Sequence, residues 1–381
     1  MGNKFKCFFC GNEDPRYIGT YNGKEYCRYC ISFRGEEASG QYVKYNSGDY
    51  ELNYELSKEQ KVISDQLLIN FKEKKNSLVH AVCGAGKTEL VFNLISYCFK
   101  HKLKVGFAIP RKDVVIELEY RFKATFPTAT IVSVYGGNTS LLEGNLIILT
   151  THQLYRYDSY FDLLIMDEID AFPYANNDLL LEMFKKSVKG NFVLLSATPS
   201  EDYIDNFKKN NGEVLELLVR FHRHPLPVPE VVIALGITKY ARFAVLLRKF
   251  LKENKPVLVF APTIEQAKDL YYYLKHLFKN GECVYSSALN RAQIISDFKN
   301  KKYQYLITTS VLERGVTIEN LQVIVFNADH AIYNAATLIQ ISGRVGRKMK
   351  FPDGKVIFIA KKNTKEMAEA IFKIRSANKC L

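Results

Sequence analysis

AVCGAGKTEL, residues 81–90, stands between the apolar run SLVHAV (77–82) and an amphipathic helical pattern over 87–101. A glycine-rich turn at the start of a helix exposes consecutive backbone N–H groups, and such a cradle holds phosphate oxygens. On this reading Ala81, Val82, Cys83, Gly84, Ala85 and Gly86 wrap the phosphates of a nucleotide. Lys87 reaches the β- and γ-phosphates, and the Thr88 hydroxyl ligates Mg2+. The strict pattern begins with glycine; Ala81 stands there, so the position asks only for a small residue. Cys83 reads as a small filler of the loop.

Working outward, short apolar runs alternate with helical stretches. KVGFAI (104–109), LIIL (146–149), DLLIMD (162–167) and FVLLSA (192–197) read as buried parallel strands, with helices predicted over 57–74, 87–101 and 111–123. LLIMDEID (163–170) delivers Asp167 and Glu168 at the end of a strand, which we place next to the strand bearing the phosphate loop. Asp167 then holds Mg2+, and Glu168 orients and deprotonates an attacking water. RFHRHPLPVPE (220–230) breaks the alternation with three prolines. Beyond it PVLVFA (256–261), YLITTS (305–310), VIVFN (323–327) and KVIFIA (355–360) resume it. The predicted fold is α/β: two tandem parallel-sheet lobes behind a small N-terminal module. The boundaries are a four-cysteine module over 1–34, a polar linker over 35–54, a first lobe over 55–219, an inter-lobe linker over 220–235 and a second lobe over 236–381 ending in a basic helix.

In the second lobe QISGRVGR (340–347) spaces Gln340, Arg344 and Arg347 to share one helical face. Two arginines so placed can stabilise charge developing on a γ-phosphate in the manner of an arginine finger.

At the N-terminus, KCFFCGNEDPRYIGTYNGKEYCRYC (6–30) sets Cys7-x2-Cys10 and Cys27-x2-Cys30 sixteen residues apart. Each pair aims two thiolates at one point, and two pairs complete a tetrahedral zinc site. Turn signals at Asp14-Pro15 and Asn22-Gly23 make the module a zinc ribbon. There is no early apolar core with a cleavage site and no apolar run near the ~20 residues of a spanning helix. A cytoplasmic, reducing location follows, which favours zinc over disulfides. Cys83, Cys98, Cys283 and Cys380 are scattered, unlike a disulfide framework. The formal charge of +13 favours an anionic partner, nucleic acid or a membrane surface, and leaves peripheral attachment to a membrane open. Residues 340–381 hold eleven Lys/Arg against three Asp/Glu, so they supply most of that charge.

Taken in order, AVCGAGKT, DEID, SAT (196–198), TTSVLERGVT (308–317) and QISGRVGR resemble the motifs of superfamily 2 helicases over about 55–365. That resemblance implies two RecA-like lobes, ATP in the cleft between them, and a nucleic-acid strand lying across both. It implies that Gln60 in LSKEQ recognises adenine, and that Ser196, Ala197 and Thr198 link hydrolysis to lobe movement. Pro110 and Arg111 in AIPRK, Thr151 and His152 in LTTHQL, Thr263 in VFAPT, and Thr308 and Thr309 would grip the strand. Gly315 and Thr317 would approach the nucleotide, although many relatives carry Asp where Thr317 stands. With the cysteine module in front, the whole chain resembles the ComFA family of late competence ATPases. CGAGKTE, TTHQLYRY, SATP followed by HPLPVP, and TTSVLERGVT are the local matches. The resemblance implies ATP-driven handling of incoming single-stranded DNA in natural transformation. It also implies ComFC and the membrane DNA channel as partners. The chain carries no inserted wedge domain, so weak duplex unwinding is expected. An RNA-dependent ATPase and a nucleotide-gated docking protein are the rival expectations.

Overall fold

Two parallel sheets form, one from the sequence before the proline-rich break and one from the sequence after it. The computed structural model describes residues 6–7, 11–21, 24–30, 35–40, 46–169, 177–285, 288, 290–309, 318–379 and 381. The chain divides into two compact units. The first runs to Ala81 and resumes over Gly86–Leu217; the second comprises Leu218–Leu381 together with Val82–Ala85.

The N-terminal module holds an antiparallel hairpin of β1 (Ile18–Tyr21) and β2 (Lys24–Cys27). Tyr21 pairs with Lys24, bracketing the predicted Asn22-Gly23 turn, which lies outside the described residues. The sheet of the first unit contains β3 (Ser77–Ala81), β4 (Val105–Ile109), β5 (Ile131–Val134), β6 (Leu146–Thr150), β7 (Phe161–Asp167), β8 (Val188–Ser196) and β9 (Glu213–Leu217). Their order is β5-β6-β4-β7-β8-β3-β9, and the neighbours run parallel. Strands such as β4 and β6 are buried along their whole length, as both-face coverage by crossover helices requires. Parallel strands bring their carboxyl ends to one edge, where ligands of such folds bind.

One expectation is corrected here. The acids after β7 are not next to the strand of the phosphate loop, because β8 lies between β7 and β3. After β3 the chain crosses to β4, leaving a gap that β7 and β8 later fill. Apolar runs encode strands, but crossover choice sets their spatial order.

Beneath the helix Lys112–Thr125, Phe122 meets Phe92 and Phe107 edge-on at 5.4 Å each. Tyr50, in the polar stretch ahead of the first lobe, packs on Phe126 at 5.5 Å. Asn46 Nδ2 donates to Thr128 Oγ1 at 2.9 Å and the Glu51 N–H to the Thr125 carbonyl at 3.0 Å, so this stretch straps onto the unit without regular structure. Phe122→Ala is expected to cost about 3–5 kcal/mol and to lower the urea midpoint of the full chain. An unchanged midpoint would deny the cluster its structural weight.

The second sheet contains β10 (Glu230–Ile233), β11 (Val257–Phe260), β12 (Gly281–Val284), β13 (Tyr305–Thr308), β14 (Gln322–Phe326) and β15 (Val356–Ala360), in the order β10-β15-β14-β11-β13-β12. Phe243, Leu247, Val257, Ile307, Ile324 and Phe326 belong to its core. Among the described residues no helix is long and apolar enough to cross a membrane.

Candidate functional site

The loop after β3 needs glycine at two places. Gly84 and Gly86 have φ of +83° and +78°, the left-handed region that side chains avoid. A Cβ on Gly86 would also lie 2.5 Å from Gln60 Nε2. Gln60 is fixed by a capping box at the start of the helix Lys58–Lys72: its N–H donates to Ser57 Oγ at 3.2 Å, and its Oε1 accepts from the Ser57 N–H at 2.9 Å. Its amide nitrogen is thereby held against the loop. Lys87 Nζ donates to the Ala81 carbonyl at 3.4 Å, and Thr88 is buried in the following turn. Glu89, beside them, is buried, accepts from Tyr54 OH at 2.5 Å and pairs with Arg121. Glu89 lies within the quoted CGAGKTE match, but the phosphate-loop pattern assigns chemistry only as far as Thr88, so its role as an anchor was not read from it.

Asp167 closes β7 and is buried. The N–H of Glu168 donates to Asp167 Oδ1 at 2.8 Å and to the Leu195 carbonyl at 3.0 Å. These bonds hold Glu168 at φ +60°, a conformation that costs a non-glycine residue about 1–3 kcal/mol. Ser196 ends β8, wholly buried, and its Oγ accepts from the Thr198 N–H at 3.2 Å across Ala197.

Ile109 and Thr150 are paired on β4 and β6, so Pro110-Arg111 and Thr151-His152 leave the sheet side by side. The Thr151 hydroxyl is buried and finds no partner among the described residues. Burial pushes the His152 imidazole below its ordinary pKa, favouring the neutral ring. The second unit repeats the arrangement. Phe260 pairs with Thr308; Thr263 caps the helix Ile264–Lys275, accepting from the Gln266 N–H at 3.1 Å. The Thr308 hydroxyl is buried without a partner among the described residues, and Thr309 is buried beside it. Gly315 and Thr317 lie outside the described residues.

Gln340 is buried in the helix Ala335–Ser342. The helix stops at Ser342 with Gly343 as its cap, and Gly346 adopts φ +70°. Arg344 and Arg347 therefore sit in and after a turn, not on one helical face with Gln340; the two glycines end the helix that the spacing predicted. Arg344 is buried, and Arg347 Nε donates to the Gly343 carbonyl at 2.9 Å. Arg220 buttresses this turn. It is buried and donates to the carbonyls of Val345 and Gly346 at 3.0 Å each and of Gly343 at 3.4 Å. Burial, with Arg347 nearby, pulls its guanidinium down to about 10. His222 Nε2 lies 2.9 Å from the same Gly346 carbonyl. An arginine opening a proline-rich linker carries no sequence signature, so Arg220 could not be read in advance.

In the N-terminal module the sulfurs of Cys7, Cys27 and Cys30 lie within 4.8 Å of one another, with Cys7 and Cys30 3.5 Å apart. Four thiolates about 2.3 Å from one zinc ion stand ~3.8 Å apart, so these three fit a tetrahedral donor set. Cys10 lies outside the described residues. All three described cysteines are buried, in one apolar cluster with Leu154, Tyr157 and Met183 of the first unit.

The family model "Helicase conserved C-terminal domain" matches residues 239–349, and "Type III restriction enzyme, res subunit" matches 53–201. Competence protein ComFA of Bacillus subtilis is 34% identical over 98% of this chain and 86% of its own length. Competence protein ComFA of Streptococcus pneumoniae is 31% identical over 95% and 87%. Among solved structures, S. cerevisiae Dbp5 bound to RNA and ADP BeF3 aligns with 86% of this chain and 92% of its own, with a TM-score of 0.64 and 16% identity, a likeness of fold.

Proposed function

The chain belongs to the Competence protein ComFA family, and from that premise we propose that it is an ATP-driven motor on single-stranded DNA, acting in DNA uptake during natural transformation. Its two helicase family models make it a superfamily 2 helicase-like ATPase. The observation that carries the finer reading is the common edge of the first sheet. The phosphate loop, Ser196, the acids Asp167 and Glu168, Arg111 and Thr151 follow one another along the carboxyl ends of β3, β8, β7, β4 and β6.

In this reading Gln60 takes the adenine, the loop 81–86 and Lys87 take the phosphates, and Thr88 with Asp167 holds Mg2+. The metal supplies charge neutralisation at the phosphates when bound. Glu168 orients and deprotonates water, and the strain at its φ supports a role that only a fixed carboxylate can fill. Arg344 and Arg347 act as arginine fingers, Gly315 and Thr317 approach the nucleotide, and Ser196-Ala197-Thr198 relays turnover to the strand grip. Pro110, Arg111, Thr151, His152, Thr263, Thr308 and Thr309 hold the strand. The hydroxyls of Thr151 and Thr308, buried with no partner among the described residues, support this, since buried polar atoms are normally satisfied. Zinc held by Cys7, Cys10, Cys27 and Cys30 orders the N-terminal module. The chain works in the cytoplasm at the inner face of the membrane, beside ComFC and the DNA channel.

The test is steady-state ATP hydrolysis with no nucleic acid, single-stranded DNA, duplex DNA and RNA, at one salt concentration because phosphate contacts are strongly salt-dependent. Single-stranded DNA is expected to raise the rate about tenfold or more, an effect abolished in Lys87→Ala. Stimulation by RNA alone would make it an RNA-dependent ATPase. Equal rates with every ligand would make it a docking switch.

A further inference from the structure

We propose that Arg156 is a positioning residue through which the zinc module sets the affinity of the first unit for a nucleic-acid strand. The inference rests on the reading of Thr151 and His152 as strand contacts.

Those two residues open the short 3₁₀-helix Thr151–Arg156, and Arg156 closes it. Arg156 is buried, and it faces two ways. Within the helix its Nε donates to Gln153 Oε1 at 2.7 Å, and its guanidinium lies 4.8 Å over the Tyr155 ring. Outward, Nη1 donates to the Glu36 carbonyl at 2.5 Å, and the Arg156 carbonyl accepts from the Ala38 N–H at 2.9 Å. Glu36 and Ala38 belong to the segment that leaves the module six and eight residues after Cys30. That segment approaches so closely that a Cβ on Gly35 would lie 2.8 Å from both Nη atoms and 2.9 Å from Tyr155 OH.

Further along, the Gly40 N–H donates to Glu143 Oε1 at 2.9 Å, and Lys104 Nζ donates to the Gly40 carbonyl at 2.9 Å. The exit segment is thus pinned on both sides of Ala38. The module and this helix also share one buried apolar cluster, which holds Cys7, Cys27 and Cys30 together with Leu154 and Tyr157. A six-residue helix with one hydrogen-bonded turn to spare has little rigidity of its own. Its register is set by what clamps its far end, and that clamp is the guanidinium of Arg156. Lysine could not replace it, because one ammonium cannot meet Gln153 and Glu36 in the two directions a planar fork does.

The experiment uses the full chain and two readouts. Hydrogen exchange, with no nucleic acid present, is followed at 151–157 in wild type before and after zinc chelation, in Arg156→Gln with zinc retained, and in Gly35→Val, which crowds the same guanidinium from the exit segment. Chelation and both variants are expected to speed exchange at 151–157 about tenfold or more while β6 stays protected. The second readout is the single-stranded DNA concentration giving half-maximal ATPase stimulation. Arg156→Gln should raise it about fivefold or more without lowering the maximal rate, and Arg156→Lys should not restore it. Adding Cys27→Ser and Cys30→Ser to Arg156→Gln should then produce a combined loss clearly smaller than the product of the two separate losses. Exchange at 151–157 that ignores both chelation and Arg156→Gln overturns the coupling. So do losses from the zinc and Arg156 changes that multiply. Wild-type protein that DNA does not stimulate would instead overturn the functional reading, with the exchange result still deciding the coupling.

Discussion

Glu168→Gln is expected to stop ATP turnover while leaving ATP bound: kcat falls about 10²–10⁴-fold, the usual worth of a positioned general base. The amide keeps the size and shape of the carboxylate, so the loop 81–86 and Lys87 are untouched and the affinity for ATP changes by less than about threefold. The backbone also stays as it is, because the bonds from the Glu168 N–H to Asp167 Oδ1 and to the Leu195 carbonyl do not involve the side chain. Single-turnover hydrolysis and direct ATP binding check both halves. A variant that hydrolyses at the wild-type rate would take the water-activating role away from Glu168 and favour a docking switch. Glu168→Gly makes a useful companion. It removes the base and the strain at φ +60° together, so it should raise stability even as it abolishes turnover.

The second large effect is on zinc. Wild-type protein should carry one zinc ion per chain, and Cys27→Ser with Cys30→Ser should carry none. Apparent binding energies of such sites are about 10–16 kcal/mol, which in a small module is most of its folding energy. Two strands of four residues each, Ile18–Tyr21 and Lys24–Cys27, cannot hold a fold by themselves. Loss of the metal should therefore unfold the module and expose the apolar surface of Leu154, Tyr157 and Met183, which share a buried cluster with the cysteines. Metal analysis and limited proteolysis near 35–40 read the two consequences. Wild-type protein that purifies without metal, or a double-serine variant that keeps it, would contradict the assignment.

The central strands were legible in the sequence because burial on both faces makes them continuous apolar runs. Ile131–Val134, Glu213–Leu217, Glu230–Ile233 and Gly281–Val284 were not, and each is an edge of its sheet. Edge strands are short and mix in polar residues, as EVLEL and GECV do, so they give no long run. The candidate site was legible where chemistry fixes residue type, as at Lys87, Asp167 and Glu168. It was not legible where a residue serves through geometry alone. Arg220 and Arg156 both spend guanidinium donors on main-chain carbonyls, and a carbonyl has no sequence identity to pair with. The strap at 46–54 escaped for a related reason: Tyr50 packs on Phe126 and Tyr54 donates to Glu89, and two isolated anchors make no period.

The measurement that tests the motor most directly is displacement of streptavidin from the ends of a biotinylated single strand. ATP should speed release from one end of the strand, a non-hydrolysable analogue should not, and Glu168→Gln should fail with ATP. ATP hydrolysis stimulated by the strand with no faster release at either end would contradict directed movement along single-stranded DNA.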